Sequence, residues 1–405
     1  MLWREHMDII EHNFDVIENI EKHIEQLFIS KCTRNFDVIE NIQKHIEQLI
    51  PLCPSKALIC IGKYPIQIIL KGSFLDNVGD VLPIFIDKSS VDIKNWSQSR
   101  LKQYNILGLD TKNDTFFWFH VYPNIIKDDV FIKRLKNKPL DNVRQAIVVA
   151  SIGDGVGSSL FPLLCSKLKM FNINPLGLAV LPSKVQPADV HFNAFSSMGL
   201  SISSGSTPVL LIDREKLEHY VGVDRKGFKI AGNILLNYLL ELFLKKRTLV
   251  QEISELSRSF DVKIFTALLS MGASFRVYGS IENMLNTALL KSLLNVDISS
   301  ASVLYVLLRI PSHMKKKLPR EKIDLSIANW VKDKFNLKSI YVSDPIYIED
   351  VSDRIDVVLF VGGFNVTELF VSMEKKINSI KNEAINHGFI NEEEWQGIVK
   401  SLLKD

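Results

Sequence analysis

The 405-residue sequence holds only four cysteines (Cys32, Cys53, Cys60 and Cys165), and no pair of them has C-x-x-C spacing. That excludes a disulfide or zinc framework, and the thiols read as reduced side chains of an intracellular protein. No apolar run reaches the ~18 residues that a membrane-spanning helix needs. The best candidate, Ile234 to Leu244, is interrupted by Asn237 and Glu241. The opening residues, Met1 to His6, are charged and lack the apolar stretch of a signal peptide. A cytoplasmic protein with no membrane insertion is therefore expected. Long blocks of one charge sign are missing too. A net charge of +3 gives no ground for a nucleic-acid partner, and Lys315-Lys316-Lys317 reads as a solvated loop. No Gly-Lys-Ser/Thr follows a glycine turn, which excludes a Walker A phosphate loop.

What is present is the mix of an ordinary globular protein, 46% apolar and 23% charged, in a chain long enough for two or three domains. The first fifty residues contain a duplication. Asn13 to Leu27 recurs as Asn35 to Leu49, with Glu21 changed to Gln43. In each copy Ile17, Ile20, Ile24 and Leu27, or Ile39, Ile42, Ile46 and Leu49, fall at helical spacing on one stripe. One continuous helix and a hairpin broken near Ser30 to Thr33 both fit. So do a partner-binding or self-association arm and a duplicated packing helix.

From Ser55 onward, short apolar runs alternate with amphipathic stretches. Ala57–Ile61, Val81–Ile86, Thr115–Val121, Ala146–Ser151, Pro175–Leu181 and Pro208–Ile212 are expected strands. Helices are expected over Leu160–Leu168, Asp189–Gly199 and, at length, from about Gly227 to Lys246. Such alternation predicts a parallel α/β sheet covered on both faces. Beyond it, Asp261–Gly272 and Ile281–Leu294 are expected helices. Ala301–Ile310, Ser339–Ile348 and Ile355–Val361 are expected strands, with a helix over Arg320–Phe335. This order suits a smaller α+β unit, followed by a helical tail from Thr367.

One segment carries chemistry. Gly153, Gly155 and Gly157 follow the buried strand Gln145 to Ser151 and precede a helix opening near Ser158. Glycines there let the backbone approach a phosphate, and free N–H groups at a helix start bind anions. The G-x-G-x-G spacing departs from the G-x-G-x-x-G of a dinucleotide fold. From the loop alone, a tight packing turn and a nicotinamide dehydrogenase also remain open.

The segment from Ser151 to Pro162 resembles the glycine-rich signature of FtsZ and tubulin. Gly153, Gly155, Gly157 and Pro162 match it, and Ser158 keeps a hydroxyl. Asp154 and Ser159 stand where the family has glycine, and Val156 where it has threonine. Gly177 to Pro182 and Asn193-Ala194 are similar to the archaeal CetZ branch. Asp213 to Leu217, Gly227 to Leu235, Ser270 to Ala273 and Leu293 to Ala301 extend the resemblance in order along the chain, from about Ala57 to Phe364. It implies a Rossmann-like GTPase domain over residues 53–226, a central helix over 227–250 and a C-terminal α+β domain over 251–366. The duplicated helical segment would occupy 1–52 and the helical tail 367–405.

The resemblance also implies GTP or GDP, with Mg²⁺, held by Gly153, Asp154, Gly155, Val156, Gly157 and Ser158. Phe228 would stack on the base, with Gly232 and Asn233 where the base edge is read. Family members polymerise head to tail, and acidic residues of one copy reach the next copy's nucleotide. Here Leu256 to Asp261 aligns with that acidic loop, Leu256 and Arg258 replace two of its acids, and only Asp261 remains. Asp261 is expected as a residual catalytic acid or as the N-cap of a following helix. Gly62-Lys63-Tyr64-Pro65 stands for the first glycine turn, with Asp87 as the acid after the second strand. Gln186 and Val190 replace the ribose-side Glu and Arg, and Gly108 stands alone where a γ-phosphate turn is expected. The sequence thus predicts a filament-forming, weakly GTP-binding protein of impaired hydrolysis, with a nucleotide-independent scaffold as the alternative.

Overall fold

The computed structural model describes residues 55–403, apart from 73–74, 76–77, 79, 96–103, 110–114, 128, 137–139, 206, 225, 231–234, 333 and 336. The duplicated segment lies outside the described residues, as do Gly232 and Asn233.

The strand β1 (Lys56–Ile61) is followed by α1 (Lys63–Lys71), β2 (Val81–Asp87), α2 (Ser90–Asn95), β3 (Asn105–Gly108), α3 (Trp118–Lys127) and α4 (Asp129–Lys136). Then come β4 (Gln145–Ser151), α5 (Gly155–Met170), β5 (Asn174–Leu181), α6 (Ala188–Ser203), β6 (Val209–Asp213) and α7 (Arg214–Glu218). Two helices, α8 (Leu235–Lys245) and α9 (Leu249–Phe260), lead into β7 (Ile264–Ser274), α10 (Phe275–Tyr278), α11 (Ile281–Leu289) and β8 (Val303–Pro311). The chain continues through α12 (Arg320–Lys332), β9 (Ser339–Val342), β10 (Ile346–Ile348) and β11 (Arg354–Gly362), and ends with α13 (Thr367–Asn386) and α14 (Glu392–Leu402).

All strands join one sheet in the order β10-β8-β11-β7-β6-β5-β4-β1-β2-β3, with β9 also on β8. From β3 to β7 every pairing is parallel; β11 then runs antiparallel to both β7 and β8. Strands buried on both faces read as unbroken apolar runs, and their alternate residues feed two cores. Ala57, Ile59 and Ile61 face the core that holds α5 and α6. Leu58 and Cys60 face the core of α1, α8 and α9.

Four expectations are corrected. Thr115–Val121 is not a strand: Trp118 opens a helix that buries Trp118, Val121 and Ile125, a 3–4 spacing that the run of aromatics obscured. Asp261–Gly272 is not a helix: from Ile264 onward it is β7, whose two-sided burial leaves no strand alternation to read. The long helix does not begin at Gly227. Gly227 has φ +88°, Lys229 bridges Val223, and the helix runs from Leu235 to Lys245. Nor does Ile281–Leu294 stay helical: it ends at Leu289, and Ser292 bridges Leu268. The helical tail does form, in two pieces, and Trp395 stacks on Phe192 and Phe195 of α6 at 5.7 and 5.4 Å.

The antiparallel half is pinned by a buried ion pair. Arg309 on β8 meets Asp356 on β11 at 2.5 Å, and Asp356 Oδ1 also accepts the Gly272 N–H of β7 at 2.7 Å. Breaking one partner strands a buried charge, which costs about 3–5 kcal/mol. Arg309→Met is therefore expected to lower the urea midpoint sharply. Adding Asp356→Asn, which keeps an acceptor for Gly272, should restore most of it.

Candidate nucleotide-binding site

Strand order reverses between β1 and β4, so the turns leaving these two neighbours open a crevice at their carboxyl ends. The β1 turn is Gly62, at φ +83°, whose N–H donates to Ile86 O at 2.9 Å. Lys63 starts α1 directly, and Pro65 sits in its first turn, where a missing N–H costs nothing. The β4 turn is the glycine loop. Between them lies a cleft of about 560 Å³ whose walls include Lys63, Tyr64, Gln67, Gly153, Asp154 and Arg214.

Asp154 is the N-cap of α5. Its carboxylate accepts the Gly157 N–H at 2.5 Å and draws on the Val156 N–H, while its carbonyl accepts from Ser158 N at 2.9 Å. A helix start leaves its first amides unbonded, and here an internal carboxylate takes them. Gly62 closes the other side: a Cβ there would sit 2.9 Å from Asp154 Oδ2. Desolvation pushes the Asp154 carboxyl up to about 7; the Gly157 and Val156 N–H groups oppose that rise, and nearby Asp87 adds to it.

The loop is strapped from above. Asn193 accepts from Trp118 N at 3.0 Å and donates to Phe116 O and Gly153 O at 2.9 and 3.1 Å. Ser159 donates to Trp118 O at 3.0 Å and to Gly155 O. Segment 115–118, where a γ-phosphate turn or a strand was expected nearby, thus lies directly on Gly155. Around the rim, Arg214 stacks 4.3 Å over Tyr64 and pairs with Glu218 at 2.7 Å. Lys376 of α13 donates to Lys184 O and Gln186 O and so anchors the loop that brings Gln186 to the cleft.

The expected residues are brought together only in part. Gly153, Asp154 and Gly155 line the cleft, whereas Val156, Gly157 and Ser158 are buried in the first turn of α5, and Ser158 donates to Gly155 O at 3.2 Å. Phe228 is 68% exposed and outside the cleft lining. Leu256–Phe260 is helix, not loop, and Asp261 follows its end at φ +52° as a C-cap, not an N-cap. It lines a separate cavity. Lys63 and Tyr64 of the expected first turn do line the cleft, and Gln67, Thr115, Phe116 and Arg214, which no motif pointed to, line it as well. The phosphate end departs from the usual pattern in that the Val156 and Gly157 amides already hold a carboxylate. Among the described residues, no His, Cys, Asp and Glu cluster is arranged to hold a metal ion. No described helix is long and apolar enough to cross a membrane.

The strand order, with a glycine turn at its switch point, defines the class as a doubly wound α/β fold. No protein-family model matches the chain, and no curated protein does. Solved structures do match. CetZ from Methanosaeta thermophila strain DSM 6194 is 17% identical, with a TM-score of 0.62 over 82% of this chain and 93% of that one. CetZ2 from Haloferax volcanii, solved as a GTPγS-bound protofilament, is 18% identical, with a TM-score of 0.61 over 82% and 99%. An empty FtsZ dimer from M. jannaschii is 13% identical, with a TM-score of 0.56 over 81% and 93%. The chain has the tubulin/FtsZ fold.

The Asp154 carboxyl binds its proton more tightly in the fold than in the unfolded chain. Its contribution is therefore fully present below about 4 and is lost as pH rises through about 7. Asp154→Asn keeps the cap acceptor without the charge. Its urea midpoint is expected to fall less than that of the wild type between pH 4 and 8. Parallel profiles would contradict the assignment.

Proposed function

We propose that this chain is a filament-forming structural protein, assembling head to tail from copies of itself, whose assembly needs no nucleotide turnover. One observation carries the reading: the Asp154 carboxylate is bonded to the amides at the start of α5. A carboxyl already bonded to those amides denies them to a phosphate, and in its ionised form it repels one, as does Asp87. Arg258, aligned with a lost acid, would oppose any water-orienting role for that segment. Assembly is supported by the kinship in fold with proteins solved as a protofilament and as a dimer.

A second reading keeps GTP or GDP as a weak ligand without hydrolysis. The open cleft of about 560 Å³, with Lys63 and Arg214 on its walls, supports it. Sedimentation of the full-length protein separates the two. Equal pelleting with and without GTP and Mg²⁺ is expected; GTP-dependent pelleting without phosphate release would favour the second reading, and with phosphate release would refute both. Asp154→Gly frees the loop amides and should strengthen GTP binding by about tenfold, the worth of one charge-assisted hydrogen bond.

A further inference from the structure

A second cavity lies at the opposite end of the same parallel strands. It has about 300 Å³ and is walled by Lys169 in the last turn of α5, Arg258 in the last turn of α9, Lys263 just before β7, and Asn174 at the start of β5. Three cations from three elements face it, and Asp261 is the one carboxylate on its wall, so positive charge is in excess.

Cations at helix ends commonly answer the helix dipole, but here the backbone already serves the ends. Asp261 N and Val262 N both donate to Ser257 O, and Phe171 N and Ile173 N both donate to Leu168 O. Arg258 makes no hydrogen bond or ion pair with any described residue, although its guanidinium carries five N–H donors in a fork suited to an oxyanion. Two of the cations are close enough to disfavour one another: burial first, and then Arg258, lower the Lys169 ammonium below its ordinary value. An anion between them relieves both effects.

We propose that this cavity is a binding site for the phosphate group of a small soluble molecule, distinct from the glycine-loop cleft. Arg258 supplies the forked contact, Lys169 and Lys263 supply charge, and Asp261 weakens binding by sitting on the same wall. The site belongs to the single subunit and needs no nucleotide in the cleft, although the head-to-tail contact proposed above would bring this segment to the next copy.

The test is titration of the full-length protein with inorganic phosphate, followed by calorimetry. Saturable binding is expected. Arg258→Ala should weaken it about tenfold, in line with loss of a charge-assisted bond, and Lys63→Ala, in the other cleft, should leave it unchanged. Asp261→Asn, which tolerates the left-handed backbone, should tighten binding about threefold through loss of one repulsive charge. A folding defect does not produce that gain. Absence of phosphate binding, loss in Lys63→Ala equal to that in Arg258→Ala, or no gain in Asp261→Asn would each overturn the site.

Discussion

The carboxylate of Asp154 on the first amides of α5 is the contact on which the carboxyl-end face of the sheet depends. It fixes where α5 begins, and so where Gly155 presents its bare Cα to segment 115–118. That segment in turn feeds Trp118 into the core and offers its backbone to Asn193 and Ser159. The cost of holding a carboxyl in this place is visible in its raised proton affinity. Two amide donors recover only part of it. The face is thus organised around an internal anion, and any external one must displace it.

The other half of the molecule hangs on β7. This strand pairs with β6 through only Val209 and Leu210, but with β11 along almost its whole length. So short a parallel contact needs support, and the helices opposite provide it. Lys56, buried at the start of β1, donates to Leu244 O and Lys246 O at the end of α8, and burial lowers it to about 8. From α9, Glu252 accepts from Tyr305 of β8, from Ser343 and from Thr248. Glu241 of α8 reaches to 3.9 Å of the Arg309 guanidinium. Helices α8 and α9 therefore bind both the parallel and the antiparallel part of one continuous sheet, by polar contacts that hydrophobic pattern alone does not reveal.

β1, β2, β4, β5 and β6 were legible as short apolar runs ended by glycine, proline or charge, whereas β3 was not, and the run read in its place, Thr115–Val121, leads into a helix. The glycine loop was legible because three closely spaced glycines between a buried strand and a helix mark a tight strand-to-helix turn. Other features were hidden for physical reasons. β7 is apolar on both faces, so no period separates it from a buried helix. Trp118 to Ile125 is rich in residues that favour strands, yet their spacing serves a helix face, and tertiary burial overrides propensity. Asp261 has the composition of an N-cap, but a short polar side chain also tolerates the left-handed backbone that ends a helix. The cleft residues Gln67, Phe116 and Arg214 come from separate elements and meet only through the sheet order.

A glycine loop is usually taken as the mark of a phosphate, and this one has reasons to exist without any. A Cβ on Gly155 would lie 2.0 Å from Thr115 O, and one on Gly157 would lie 2.0 Å from Ser151 O. Both contacts are with backbone, which cannot step aside as a flexible side chain does, so both positions demand glycine whatever the cleft contains. The glycines fix how closely α5 approaches β4 and segment 115–118. What the loop binds is decided by the residue between the glycines, and at that place this chain carries a carboxylate. Packing alone accounts for the glycines, and the carboxylate between them caps the helix they begin.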